Sequence, residues 1–89
     1  MPDAFAISPA YPNPFNPTTT LSFALPIEAE VFLSIYNLQG REVVSLVNSN
    51  MEAGYHSITW NADSYSSGVY FVKMVADDYI STQKLMLIK

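Results

Sequence analysis

The sequence predicts an all-β domain built as a sandwich of seven short strands. Apolar residues alternate with period two through most of the chain, and no stretch sustains a helical period of 3.6. The alternating segments are dominated by β-branched and aromatic residues. Turn signals made of Gly, Pro, Asn, Asp and Ser recur about every eight to twelve residues, the spacing of a sandwich of short strands.

The first strand is short, around Phe5 to Ser8. It leads into Pro9-Ala10-Tyr11-Pro12-Asn13-Pro14-Phe15-Asn16-Pro17, which holds four prolines. They remove four amide donors and fix four φ angles, so the segment is neither a central strand nor a helix interior. A flexible linker is one reading. The other is an ordered segment anchored by Tyr11 and Phe15, and two large aromatics favour it. Residues 1–17 are thus expected to be a strand with a proline-rich entry segment, and 18–89 the sandwich body, within one domain of residues 1–89.

The second strand is expected over Thr19–Leu25, with Leu21, Phe23 and Leu25 on one face and Thr20, Ser22 and Ala24 on the other. Pro26 stops it. The third covers Glu30–Tyr36, with Val31, Leu33 and Ile35 inward and Phe32, Ser34 and Tyr36 outward. Asn37-Leu38-Gln39-Gly40 is a hairpin turn in which Gly40 supplies a positive φ. The fourth strand is Arg41–Val47, followed by a polar loop ending at Gly54. In the fifth, Tyr55–Trp60, His56, Ile58 and Trp60 share a face. A polar loop carrying Tyr65 spans Asn61–Gly68. The sixth, Val69–Ala76, alternates Val69, Phe71, Lys73 and Val75 with Tyr70, Val72 and Met74. Asp77-Asp78 is a turn. The seventh, Tyr79–Lys89, sets Leu85 and Leu87 against Met86 and Ile88. Being apolar on both faces, it is expected to be central or covered on its outer face. Seven such strands suit an immunoglobulin-like Greek-key sandwich. The chain has no cysteine, so the Cys…Trp…Cys pattern of antibody domains is missing and the likeness is one of architecture.

Composition narrows the function. Hydrophobic residues make up 49% of the 89, enough for a core, whereas charged residues are 13%, roughly half the usual share. The net charge is −4, and the only basic residues are Arg41, Lys73, Lys84 and Lys89. That balance leaves no electrostatic footprint for nucleic acid or anionic lipid. No apolar run approaches the roughly 20 residues of a membrane helix, so no membrane insertion is expected. Met1-Pro2-Asp3 lacks the basic and apolar regions of a signal peptide. If the domain works outside the cytoplasm, the sequence is expected to be a fragment of a larger precursor.

No catalytic constellation emerges. His56 sits in an alternating strand with no nucleophile or orienting carboxylate beside it, and no Gly-x-Ser-x-Gly elbow exists. The domain is therefore expected to be no enzyme and to hold no cofactor. Asn61 and Asp63 in one loop, with Asp77 and Asp78 in another, are oxygen donors of the kind calcium takes. Turn chemistry explains them without a metal, and none is expected. Tyr36, Tyr55, Trp60, Tyr65 and Tyr79 could stack on sugars; against that stands Trp60 as a core residue with the tyrosines covering sheet edges.

Several motifs carry a resemblance. Tyr11-Pro12-Asn13-Pro14-Phe15-Asn16-Pro17-Thr18-Thr19-Thr20 resembles the opening motif of type A C-terminal sorting domains of the bacterial type IX (Por) secretion system. Ile35-Tyr36-Asn37 with Gly40 and Val43 resembles that family's central hairpin. Ala53-Gly54-Tyr55-His56 with Trp60 resembles its next strand. Ser67-Gly68-Val69-Tyr70-Phe71 is similar to its Ser-Gly-Val-Tyr signature, and Lys84-Leu85-Met86-Leu87-Ile88-Lys89 to its Lys-rich last strand. The likeness spans Tyr11 to Lys89.

The resemblance implies a seven-stranded Greek-key sandwich at the C-terminus of a secreted hydrolase, adhesin or surface protein of Bacteroidota or related phyla. The implied partners are the covalently linked cargo, the outer-membrane translocon and a sortase-like protease that removes the domain and can attach the cargo to surface lipopolysaccharide. The implied localisation is secreted or cell-surface, by way of the periplasm. Within that reading, Lys84 to Lys89 are expected to be the recognised feature, with the proline segment as a second surface. Lysines on an edge strand also deter unwanted pairing, which is the competing reading of Lys84 and Lys89. Related sandwiches serve as spacers or carbohydrate-binding modules beside hydrolases, which is the alternative function.

Overall fold

The computed structural model describes residues 2–89. They form seven strands: β1 (Ala6–Ile7), β2 (Thr18–Leu25), β3 (Ala29–Asn37), β4 (Glu42–Met51), β5 (Gly54–Asn61), β6 (Gly68–Ala76) and β7 (Tyr79–Leu87). A three-stranded sheet in the order β1-β2-β5 packs on a four-stranded sheet in the order β4-β3-β6-β7, and every strand pairing is antiparallel. The pairings of β2 with β5 and of β3 with β6 are the Greek-key crossovers of an immunoglobulin-like sandwich. β4 lies beside β3, whereas constant-type immunoglobulin domains set the fourth strand next to the fifth.

Alternation decides which side chains fill the space between the sheets. Leu21, Phe23 and Leu25 from β2 meet Val31, Leu33 and Ile35 from β3, with Val72, Met74, Leu85 and Leu87 completing the layer. Leu21, Leu25, Leu33 and Leu85 are fully buried, each stabilising the fold by roughly 1.5–3 kcal/mol. No buried side-chain nitrogen or oxygen among the described residues lacks a hydrogen-bond partner.

The Asn37–Gly40 turn forms as expected. The Asn37 side-chain oxygen accepts from the amides of Gln39 and Arg41, each at 3.0 Å, and Gly40 has φ +83°. The Asp77-Asp78 turn closes β6 onto β7, with Asp77 at φ 52°, a conformation Asp tolerates.

Three expectations need correction. β4 does not end at Val47 in a polar loop; it runs to Met51, with Asn48, Ser49 and Asn50 paired to Phe32, Val31 and Glu30. It is an edge strand with one side open to solvent, so polar residues are no obstacle there. Its register shifts twice, leaving Leu46 and Val43 as extra residues. Those bulges allow both halves of Val43-Val44 and Leu46-Val47 to pack against the core, which a strict period of two forbids. Ser34, though on the outward face, is only 7% exposed, lying between Ser45 and Lys73 in register. Finally, β7 is not central and stops at Leu87. Its free edge is covered by the proline segment.

Candidate recognition surface

The proline segment runs as a strap between the edges of the two sheets. On the β2 side, the Ser8 amide donates to the Ser22 carbonyl at 2.8 Å, and Tyr11 and Thr20 exchange backbone bonds at 3.1 and 3.0 Å. The Thr19 hydroxyl donates to the Pro12 carbonyl at 2.7 Å, and the Ala62 amide to the Pro17 carbonyl at 2.9 Å. On the β7 side, the Gln83 side-chain amide accepts from the Ala10 amide at 2.8 Å and donates to the Ser8 carbonyl at 2.9 Å. Asn13 does the same in the opposite sense: its Nδ2 donates to the Lys84 carbonyl at 2.9 Å and its Oδ1 accepts from the Met86 amide at 3.0 Å. The Phe15 amide then donates to the Met86 carbonyl, and the Ile88 amide to the Phe15 carbonyl, both at 2.9 Å, as a parallel bridge.

This arrangement explains the residue types. A proline-rich strand cannot donate along its length, so its backbone pairs with the β7 edge at Phe15 and not as a continuous ladder. A primary amide carries one donor group and one acceptor, the same pair a peptide offers, and Asn13 and Gln83 supply the missing ladder. The prolines contribute carbonyls, which need no N–H. The bonds Tyr11-Pro12, Asn13-Pro14 and Asn16-Pro17 are cis.

Phe15 pins the strap to the core. Its ring is 2% exposed and lies 5.5 Å from that of Trp60. Trp60 in turn lies 5.5 Å from Tyr65 and 5.6 Å from Tyr70, in tilted and edge-on geometries that suit aromatic quadrupoles. The Tyr70 hydroxyl donates to the Ser66 carbonyl at 2.6 Å, a tyrosine corner that closes the β5–β6 loop. Gly68 has φ +151°, a conformation that favours glycine, while a Cβ there would meet nothing within 4 Å. Its requirement is backbone conformation alone. The expectation that Tyr11 also anchors the segment is overturned: its side chain is 79% exposed, because pairing with Thr20 turns it onto the outer face of the three-stranded sheet.

The last residues divide by face. Leu85 and Leu87 are buried, Met86 is half-buried, and Lys84 and Ile88 are exposed on the opposite side. The Lys89 amide donates to the Ser67 hydroxyl at 3.1 Å and its ammonium to the Asp63 carbonyl, tying the chain end to the β5–β6 loop. Tyr11 to Pro14, the Gly40 turn, Trp60, the Gly68-Val69-Tyr70 run and Lys84 to Lys89 thus lie at or near one end of the sandwich. Asn37 pairs with Tyr70 there, and Gly68 with Leu87. Gly54 lies at the other end, opposite Leu25. Sequence reasoning missed Gln83 and the bridging role of Asn13. Their partners are more than 70 residues away, and no local pattern marks such contacts.

His56 stacks on Phe23 at 5.4 Å, and its Nε2–H donates to the Glu52 carbonyl at 2.8 Å. No group of three or more His, Cys, Asp or Glu among the described residues is placed to hold a metal ion. The rings weighed for sugar stacking do not form one platform. Trp60 is buried and Tyr65 packs on the core. Tyr79 stacks on Phe5 at 6.0 Å. Tyr36 and Tyr55 lie on opposite sheets. Residues 9–89 match the family described as the secretion system C-terminal sorting domain. No curated protein matches the chain.

Proposed function

The chain belongs to the type IX secretion-system C-terminal sorting domains, and on that premise we propose that it is a folded export signal, with no catalysis of its own. It is carried at the C-terminus of a larger cargo. The outer-membrane translocon reads it, and a sortase-like protease then acts on it, leaving the cargo secreted or at the cell surface. One observation supports this reading above the others. Asn13 and Phe15 hold the edge of β7 from Lys84 to Ile88, so the family's first and last motifs form a single surface unit.

Within that unit the roles separate. Leu85 and Leu87 fasten β7 to the core, while Lys84, Met86 and Ile88 face outward beside the edge that Asn13 holds. A folded domain offers a partner those outward side chains and not the leucines. The test is a fusion of all 89 residues to a periplasm-directed reporter in a type IX-competent bacterium. The parent fusion is exported. A K84S/M86S/I88S variant folds and leaves the reporter in the periplasm. Export of that variant at the parent level would remove these residues from the recognised feature. A parent fusion that is not exported would leave the spacer reading in its place.

A further inference from the structure

We infer that the outer face of the four-stranded sheet, across β3, β6 and β7, docks a protein partner whose contact patch is apolar and bears carboxylates. The partner's place in export rests on the sorting reading above; its chemistry is argued from the face.

Register lays the face out in rows. Phe32, Val75 and Ile80 form one row, Ser34, Lys73 and Thr82 the next, then Tyr36, Phe71 and Lys84, then Val69 and Met86. Ile80 is 63% exposed, Ile88 at the end of the same face 50%, and Phe32 39%. A shallow hollow of about 300 Å³ between Tyr36, Leu38, Phe71 and Lys73 breaks the surface near its middle. A solvated sheet face alternates apolar-in and polar-out. The three-stranded sheet follows that rule at Thr20 and Ser22, which face out and bond to the hydroxyls of Thr59 and Ser57, and its exposed rings, Tyr11 and Tyr55, carry hydroxyls of their own. The four-stranded sheet instead exposes Phe32, Ile80 and Ile88, which carry no polar group, on either side of the polar row Ser34, Lys73 and Thr82, and exposed apolar side chains grouped on one face mark a site of interaction.

Charge identifies the partner. Two of the chain's four basic residues, Lys73 and Lys84, rise from this face; β6 and β7 carry no Asp or Glu, and the carboxylates on the other two strands of the sheet are Glu30, beyond Phe32 at the far end of β3, and Glu42 of β4, opposite Tyr36. Edge protection does not account for them. β6 is flanked by strands on both sides, so Lys73 has no edge to guard, and the edge beside Lys84 is already occupied by Asn13. A second copy of the chain docked face to face would bring four lysines into one interface, with Glu30 as the one carboxylate that β3, β6 and β7 of each copy offer against them. An anionic lipid surface would meet them at the cost of repelling the remainder of a chain whose net charge is −4. An apolar protein patch with carboxylates at the positions facing Lys73 and Lys84 satisfies both features.

The experiment compares the parent reporter fusion with K73E/K84E, K73R/K84R and I80S in a type IX-competent bacterium, with thermal melting of each purified chain as the folding control. Glu solubilises as well as Lys, so the reversal changes the sign of the face and leaves its polarity. Export by K73E/K84E is expected to fall by about tenfold or more, because like charges brought together at an interface are strongly disfavoured. K73R/K84R is expected to export at the parent level and I80S at a level between the two. If the charge reversal unfolds the domain, K73Q/K84Q takes its place and is expected to lower export severalfold. Parent-level export by a folded K73E/K84E or K73Q/K84Q overturns this inference and leaves the sorting reading intact. A parent fusion retained in the periplasm overturns both. Sedimentation showing a dimer of the purified chain that K73E/K84E dissociates would assign the face to a second copy. Binding to phosphatidylglycerol vesicles lost in the same variant would assign it to lipid. Either result overturns the proposal.

Discussion

Phe15→Ala tests whether the strap is part of the fold or a passenger on it. The ring is 2% exposed and packs against Trp60 at 5.5 Å. The backbone bonds from Phe15 to Met86 and Ile88 do not need the ring, so its removal isolates the packing contribution. Truncating a buried Phe to Ala costs about 3–5 kcal/mol, part from lost transfer and part from the cavity left behind. A domain of 89 residues holds roughly 4–13 kcal/mol in all. For this size about 1 kcal/mol moves the melting temperature by about 4–8 °C, so the variant should melt at least about 12 °C below the parent. Urea unfolding followed by the emission of Trp60, the sole tryptophan, reads the same loss next to the site. With an m-value of about 1 kcal/mol/M the midpoint falls by about 3 M, or the variant is unfolded in buffer. Phe15→Leu keeps most of the volume and should cost only about 1–2 kcal/mol, which preserves the test if the alanine variant does not fold. Stability of Phe15→Ala within about 1 kcal/mol of the parent would refute the reasoning. The proline segment would then be a linker that happens to lie against the sandwich.

Asn13→Ala removes both amide bonds to β7 and should cost about 1–2 kcal/mol; hydrogen exchange at the Met86 amide should speed up while that at Leu21 is unchanged. Tyr70→Phe deletes the bond to the Ser66 carbonyl and should lower stability by about 1 kcal/mol in chemical denaturation, with the fold intact. Gly68→Ala meets no steric obstacle, so its cost of about 1–3 kcal/mol is conformational, and Gly68→Ser should match it within about 1 kcal/mol.

The period-two pattern was enough to identify the strands because burial on one face of a sheet selects every second side chain. Leu21, Phe23, Leu25, Val31, Leu33 and Ile35 follow it without exception. It failed at β4 for the opposite reason. Two bulges put consecutive apolar residues against the core, and the polar Asn48–Asn50 run is tolerated on an edge strand. For β7, apolar outward residues suggested a central strand or one covered on its outer face, and the strand is not central but lies at the sheet edge. The partner on its free edge is a segment with no strand pattern of its own, attached through side-chain amides.

Local composition therefore determined the all-β class, the turns at Gly40 and Asp77, the identity of most core residues and the order of the family's motifs. Tertiary structure alone decided that Asn13 and Gln83 act as pieces of a ladder, that Tyr11 faces solvent while Phe15 fills the core, and that Lys73 and Lys84 stand together on an apolar face. The physical reason is range. Alternation and turn preference act between neighbours a few residues apart, whereas an edge cap and a shared face depend on which strands lie side by side. That is set when the whole core closes.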